Sequence, residues 1–462
     1  YKHPKAMRER IRYAPSRQTL LQIARADNNE SLRLLAESDI FWDEIVFMEY
    51  LEGDFEVYDL CVPETYNFVA NDIIVHNSYS LSIIAEEMMN QPVEIAKNLS
   101  IIMLDTMGIF WTMKYPNLRD EKLLEEWDLK PKGMNVNIYV PSGYFDEYRK
   151  KGLPADFSFS IKTSELDAMD WCSIFEIKIT DSIGILIENT LEKLKQELIQ
   201  DYDIDDIING IIKNKKTPQG VKDAAINRFS NAGRWGLFEK NGTAINDLIK
   251  RGEVCIVDLS AYSQVSGGWD IKNLVVGIIS RNLLAERIIS RKFEELESIE
   301  TRESMFIDTE KELEKPLVWI LIDEAHNFLP KKGKNAATDP LVRLLKEGRQ
   351  PGVSLVLATQ QPGDVRKDVL TQSDIVISHR LTAKTDIDAL NSMMQSYLLA
   401  DIQTFMNSLP RLKGSAIILD DNSERIYPIR VRPKLSWHGG ESPNAIKYNK
   451  KEEIEKVLGI KL

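Results

Sequence analysis

The chain has 462 residues, 43% of them hydrophobic and 28% charged, which is the profile of an ordinary globular protein. Its formal net charge of −12 excludes a surface that is basic overall, so any contact with nucleic acid must use a local basic patch, for example in the pore of a ring. No apolar run approaches the roughly 20 residues that cross a bilayer, and no signal peptide is found, so we expect a cytoplasmic protein without a membrane segment.

Two further features bear on the origin of the chain. The three cysteines, Cys61, Cys172 and Cys255, are far apart and none has the spacing of a metal ligand, which favours a reducing compartment. The chain begins with Tyr1 rather than Met, so we expect it to start within a longer reading frame.

The first recognisable segment is VYDLCVPETYNFVANDIIVHN, residues 57–77, followed by Ser78. Pro63 and Asn71-Asp72 divide it into short predicted strands. The segment resembles the two C-terminal splicing blocks of inteins. Residues 38–43 before it resemble the lead-in of inteins that carry a homing endonuclease.

The resemblance implies a self-processing reaction at the end of this segment. Asn77 would attack its own backbone carbonyl and cut the chain, and His76 would donate a proton to the departing amide. Ser78 would accept the upstream segment as an ester, and Asp59 would assist. The alternative is a β-rich linker in which His-Asn-Ser occurs by chance.

Two departures from the intein pattern limit this interpretation. Tyr66 stands where inteins commonly have His, which puts assistance from that position in doubt. The N-terminal splicing half, with its first nucleophile, is absent from the sequence.

A helix is predicted directly after the splice junction, over Ser78–Met89, because apolar residues recur there at helical spacing. A P-loop would have Gly-Lys before this serine, but Asn77 stands there instead. The economical account is that an intein interrupts the P-loop between its Lys and Ser78. Splicing would then make Ser78 a ligand of Mg²⁺.

Apolar runs of strand length follow, most of them separated by helical patterns, and they predict a mostly parallel α/β sheet covered on both faces. They are Ser100–Leu104, Val136–Val140, Val254–Leu259, Leu317–Ile322, Val353–Ala358, Ile375–Ser378 and Ala416–Leu419. After a further short strand at Ile177–Ile179, the stretch to residue 238 reads as a helical insertion, clearest at Ile183–Ile199 and Gln219–Phe229. Lys450–Leu458 is predicted to be a charged helix.

The strand LVWILI, residues 317–322, ends in Asp323-Glu324, the pattern of a Walker B motif. Asp323 would hold Mg²⁺ and Glu324 would polarise the attacking water. The alternative is a buried strand that ends in two solvated acids.

The segment LLKEGRQPGVSLVLATQQP, residues 344–362, strengthens the ATPase interpretation. It resembles the stretch of HerA-like and FtsK-like motors in which an arginine-bearing turn precedes a strand ending in Ala-Thr-Gln. Gln360 would sense the γ-phosphate at the carboxyl end of its strand. Arg349 is the first candidate for an arginine finger and Arg380 the second, and a surface salt bridge is the alternative for each.

Asp105 ends an earlier strand that resembles the HerA strand whose Asp lies near the nucleotide. Relatives often have His-Gly after this Asp, where the chain has Thr-Met-Gly. The alternative for Asp105 is a structural capping role.

Together the resemblances imply a RecA-like P-loop NTPase sheet with a helical insertion, preceded by a small all-β intein (Hint) segment. We expect the divisions 1–56 (intein and endonuclease region), 57–77 (splicing blocks), 78–163 (first ATPase part), 164–240 (insertion), 241–440 (ATPase core) and 441–462 (tail).

The function implied is an ATP- and Mg²⁺-dependent DNA translocase or helicase, acting as a ring, expected to be a hexamer, with a nuclease as a candidate partner. Two alternatives stay open. The chain's own activity would be only self-processing, or the motor would pump DNA or protein in conjugation.

Overall fold

The structure is a computed structural model and describes residues 77–197, 201–303, 315–381, 383–393, 402–410, 412–420 and 425–440. The strands are β1 (Leu99–Asp105), β2 (Val136–Pro141), β3 (Phe157–Phe159), β4 (Ile161–Lys162), β5 (Phe238–Glu239), β6 (Val254–Asp258), β7 (Leu317–Ile322), β8 (Val353–Leu357), β9 (Ile375–His379), β10 (Ser415–Asp420) and β11 (Arg425–Arg430).

The helices flank and connect these strands. They are α1 (Asn77–Met89), α2 (Val93–Ala96), α3 (Glu121–Glu125), α4 (Ser142–Lys150), α5 (Ala168–Ile174), α6 (Ser182–Glu197), α7 (Ile204–Lys213), α8 (Gln219–Gly233), α9 (Ile245–Leu248), α10 (Gly268–Glu303), α11 (Thr338–Glu347), α12 (Lys367–Leu370), α13 (Lys384–Met393) and α14 (Ile402–Ser408).

The central sheet has six parallel strands in the order β3-β2-β6-β1-β7-β8. Along β1, Ile101 and Met103 pack in one hydrophobic cluster, whereas Ile102 and Leu104 pack in another, and all four are fully buried. Both faces of the sheet are therefore covered, which confirms the parallel α/β sheet that the apolar runs predict.

The last two predicted strands do not join this sheet. β9 and β10 pair antiparallel with each other, and β10 pairs with β11, in a separate three-stranded sheet. β4 and β5 form a further two-stranded pair.

Helices α5 to α8 occupy the stretch that reads as a helical insertion. Trp171 is fully buried among them and stacks on Phe175, with Phe229 edge-on at a centroid distance of 4.8 Å. The strand predicted at Ile177–Ile179 is wrong, because these residues form an irregular segment that leads into a turn. The Asp181 carboxylate accepts a hydrogen bond from the Lys178 backbone N–H at 3.0 Å, which closes that turn.

Residues near the C-terminal end of the described chain hold α1 in position. Glu86 on α1 has no exposed surface, and its carboxylate accepts hydrogen bonds from Arg432, from the Leu435 and Ser436 backbone N–H groups and from the Ser436 hydroxyl. We call residues 432–438 the strap. Because a buried carboxylate needs this many partners, the strap fixes the position of the helix that follows Asn77.

Lys434 in the strap is also buried, and its ammonium donates to the Trp437 carbonyl at 3.2 Å. Burial lowers the pKa of Lys434 to about 8. The unfolded chain therefore holds this proton more tightly than the folded chain, and the cost of burying Lys434 falls as pH rises from about 8 towards 10.5.

The first prediction concerns this lysine. We expect Lys434→Met to be more stable relative to the unchanged chain at pH 7, with the advantage shrinking by about 2 kcal/mol by pH 10. Urea unfolding at several pH values measures it, with the exposed Lys193→Met as a control for loss of a surface charge. An advantage independent of pH would contradict the assignment.

Candidate functional site

The site is built where α1 begins and β7 ends. β7 lies parallel to β1 with Ile322 opposite Leu104, so the two acids that follow β7 stand at the edge of the sheet where β1 ends. The Ser78 hydroxyl, in the first turn of α1, donates a hydrogen bond to Asp323 Oδ2 across 245 residues of sequence. The structure thus brings together the two residues that the sequence predicts as Mg²⁺ ligands.

The carboxylate of Asp323 is held on both sides. Its Oδ1 accepts the Glu324 backbone N–H at 2.8 Å, and the side chain is 1% exposed. Burial raises the pKa of Asp323, and the hydrogen bond from Ser78 opposes this shift. Asp323 is therefore a buried acceptor that two hydrogen bonds hold in place.

Glu324 has an uncommon backbone conformation for a residue with a side chain. Its φ is +53° and its ψ is 44°, in the left-handed region. The next residue, Ala325, donates its N–H to the Ala358 carbonyl at 2.9 Å, which ties the turn to the end of β8. Strain of this kind persists where the surroundings fix a functional side chain.

The Glu324 side chain points towards the end of β8. Gln360 donates from Nε2 to Glu324 Oε1 at 2.7 Å, and His326 Nδ1 lies 3.5 Å from Glu324 Oε2. Burial, followed by the negative charge of Asp323, raises the pKa of Glu324 to about 7. The Glu324 carboxylate is thus oriented by the amide of Gln360, the residue that the sequence predicts as the sensor of the γ-phosphate.

His326 was not assigned a role from sequence. Its Nδ1 lies 3.1 Å from the Thr359 hydroxyl, and burial lowers the pKa of the imidazole. The feature of the sequence that could have pointed to His326 is its position three residues after Asp323. His379 was also missed, and its Nε2 lies 2.7 Å from the Ser80 hydroxyl on α1.

The two candidate finger arginines differ in their surroundings. Arg349 follows α11 and is exposed, and its side chain makes no hydrogen bond or ion pair within the described part of the chain. Arg380 is half-buried and donates to the Leu409 carbonyl at 2.6 Å. Only Arg349 is therefore free to reach another molecule without breaking a contact.

Asp105 ends β1 and is buried. Its carboxylate accepts the backbone N–H groups of Met107, Gly108 and Phe110 at 3.1, 2.7 and 2.8 Å. Burial and the neighbouring Asp258, its partner in register, raise the pKa of Asp105. These are the contacts expected if Asp105 has the structural capping role that the sequence leaves open as an alternative. A role for Asp105 beside the nucleotide stays a prediction.

The ligands offered by the site suit Mg²⁺ bound together with a nucleotide. They are too few to hold a metal ion by themselves. A hydroxyl and a carboxylate are hard oxygen ligands, and Mg²⁺ is usually held by few protein ligands together with phosphates. Within residues 77–440, as far as these are described, no cluster of three or more His, Cys, Asp or Glu could hold a metal ion.

Apart from Ser78, the predicted splicing residues cannot be placed in this site. Asp59, Tyr66, His76 and the side chain of Asn77 lie outside the described residues. In the described part of the chain, no helix has both the length and the apolar character needed to cross a membrane.

Comparisons with known proteins agree with the ATPase motifs. Helicase HerA, central domain, matches residues 78–283, and Helicase HerA-like C-terminal matches residues 306–429. The chain is 27% identical over 208 residues to the DNA double-strand break repair helicase HerA of Pyrococcus furiosus, covering 42% of this chain and 37% of that protein. It is 23% identical over 379 residues to a protein named as a probable helicase of Methanocaldococcus jannaschii, covering 79% of this chain and 65% of that protein.

Other matches are short and have a higher identity. Over 63 residues the chain is 51% identical to the replicative DNA helicase DnaB of Nostoc sp., which covers 14% of this chain and 7% of that protein. The chain therefore spans less than two thirds of each of these three relatives.

Proposed function

We propose that the chain is a HerA-like P-loop ATPase and that, once its P-loop is complete, it hydrolyses ATP to move DNA through a ring of identical subunits. The observation that carries the proposal is the hydrogen bond between Ser78 and Asp323. It joins the start of the P-loop helix to the end of the Walker B strand, which is the arrangement that Mg²⁺-ATP requires.

Each residue of the site has a place in this chemistry. Ser78 and Asp323 would hold Mg²⁺, which would neutralise charge on the phosphates. Glu324 orients the attacking water, and Gln360 holds Glu324 in place from 2.7 Å. A γ-phosphate that draws the Gln360 amide away would free the Glu324 carboxylate for water.

DNA as the substrate rests on the helicases that the chain resembles. The net charge of −12 confines the DNA contact to a local surface, such as the pore of a hexameric ring. A nuclease partner and a cytoplasmic location belong to the same proposal.

We propose a second function for the start of the chain. Residues 57–78 would be the end of an intein that interrupts the P-loop and removes itself by protein splicing. The short match to DnaB is compatible with this, because 63 residues with 51% identity, beside longer and weaker similarity to HerA helicases, suit a segment of separate origin. The same residue, Ser78, would then be splicing acceptor and Mg²⁺ ligand.

The test of the ring uses mixed subunits of the spliced protein. Arg349→Ala and Glu324→Gln should each abolish turnover alone, whereas a 1:1 mixture should recover about a quarter of the sites, because one subunit supplies Glu324 and its neighbour Arg349. Steady-state ATP hydrolysis in the presence of duplex DNA measures the recovery.

Arg343→Ala is the matched control, since Arg343 lies on α11, shortly before Arg349, and pairs with Glu347 at 2.9 Å. It should retain turnover without mixing. If Arg349→Ala mixtures stay inactive while Arg380→Ala mixtures recover, Arg380 is the finger. Recovery in neither mixture counts against a shared site.

A further inference from the structure

The Ser78 hydroxyl has a fixed acceptor within the ATPase fold. It donates to Asp323 Oδ2, and the other oxygen of that carboxylate is held by the Glu324 backbone N–H at 2.8 Å. Asp323 is 1% exposed, so bulk water does not compete for it. The orientation of the hydroxyl is therefore set by a residue 245 positions downstream.

The backbone that carries Ser78 is fixed as well. The Ser82 hydroxyl donates to the Ser78 carbonyl at 2.9 Å, and Glu86, two turns along α1, is buried against the strap. With both the helix and the hydroxyl fixed, the hydrogen of Ser78 is directed at Asp323. The lone pairs of its oxygen are then left for another group.

Resting on the proposed splicing of residues 57–77, we infer that Asp323 is a positioning residue for protein splicing, which orients the Ser78 hydroxyl for ligation. The acceptor of the splicing reaction would be placed by the ATPase and not only by the intein. Splicing would then depend on prior folding of β7 beside β1, so a chain whose ATPase has not folded would ligate poorly.

The step that Asp323 assists is an acyl transfer. The substrate is a thioester or ester at the upstream splice junction, supplied by the N-terminal half of the intein. The Ser78 oxygen forms a bond to the acyl carbon, and the bond from that carbon to the upstream sulfur or oxygen breaks. The hydroxyl proton ends on the departing thiol or alcohol, so no oxidant or reductant is needed.

The experiment compares the products of the full-length precursor by intact mass. Ligated product and unligated fragment beginning at Ser78 are quantified together. Asp323→Ala should lower the ratio of ligated to unligated product by about tenfold or more, because misorientation of a reacting group by about 1 Å can cost up to about 10²-fold. Cleavage after Asn77 should continue.

Two further variants separate orientation from folding. Asp323→Asn keeps an acceptor oxygen of the same size at this position and should restore a large part of the ratio. Asp258→Ala removes the equivalent buried carboxylate at the end of β6, next to β1 but without contact to Ser78, and should leave the ratio unchanged.

The results that overturn the inference differ from those that overturn splicing itself. A ratio in Asp323→Ala equal to or above that of the unchanged precursor rejects the role of Asp323 while splicing stands. An equal loss in Asp258→Ala assigns the effect to general folding and rejects it too. A precursor that forms neither product with its sequence unchanged refutes the intein, and this inference with it.

Discussion

Replacing Glu324 with Gln in the spliced protein is expected to lower ATP turnover by about 10²–10⁴-fold, with nucleotide binding retained. Glu324 follows the strand that places Asp323 beside Ser78, and burial raises its pKa to about 7, which suits a group that accepts a proton from water. The amide is the same size but cannot take the proton. Binding should persist because Ser78 and Asp323 are unchanged.

Turnover and binding are measured separately, by phosphate release and by equilibrium binding of Mg²⁺-ATP. Glu347→Gln is the control, since Glu347 is exposed and pairs only with Arg343 among the described ion pairs. Unchanged turnover in Glu324→Gln would remove Glu324 from the mechanism. Loss of binding together with turnover would indicate a damaged fold.

The second large effect is expected at the splice junction. In the full-length precursor, Asn77→Ala should abolish cleavage between residues 77 and 78, because it removes the amide that attacks the backbone carbonyl. His76→Ala should slow the same cleavage by about 10²–10⁴-fold, the usual contribution of a positioned proton donor. Ser78→Ala should permit cleavage but prevent ligation.

Intact-mass measurement of the precursor over time distinguishes these outcomes. A released C-terminal product that begins at any residue other than Ser78 would show that the splice junction is misassigned. Cleavage that survives Asn77→Ala would do the same. Gln91→Ala, an exposed change beyond the end of α1, should leave both cleavage and ligation as they are.

The sequence predicts the central sheet well because its strands are buried on both faces. Such strands are continuous apolar runs, and β1, β2, β6, β7 and β8 all begin and end within a few residues of the runs that predict them. β3, β4 and β5 have only two or three residues each, too few to form a run. At Ile177–Ile179 an apolar pattern was present, but the Asp181 side chain closes a turn there instead.

The candidate site could be predicted in part for a topological reason. An acid after β7 lies at the carboxyl edge of the parallel sheet, and the helix before β1 must begin near that edge to end where β1 starts, so the first turn of α1 is expected near the acid. The partners of these residues could not be predicted. Nothing in the sequence shows that Gln360 donates to Glu324, or that Glu86, on a helix with several polar residues, is buried by the strap.

The strap has a consequence for the order of events during protein synthesis. Ser436 leaves the ribosome 350 residues after Glu86, its partner on α1. At about 5–20 residues per second, this is a delay of roughly 20 to 70 seconds. Throughout that time the carboxylate of Glu86 lacks the donors that allow its burial, so α1 reaches its final packing only after the strap has been synthesised.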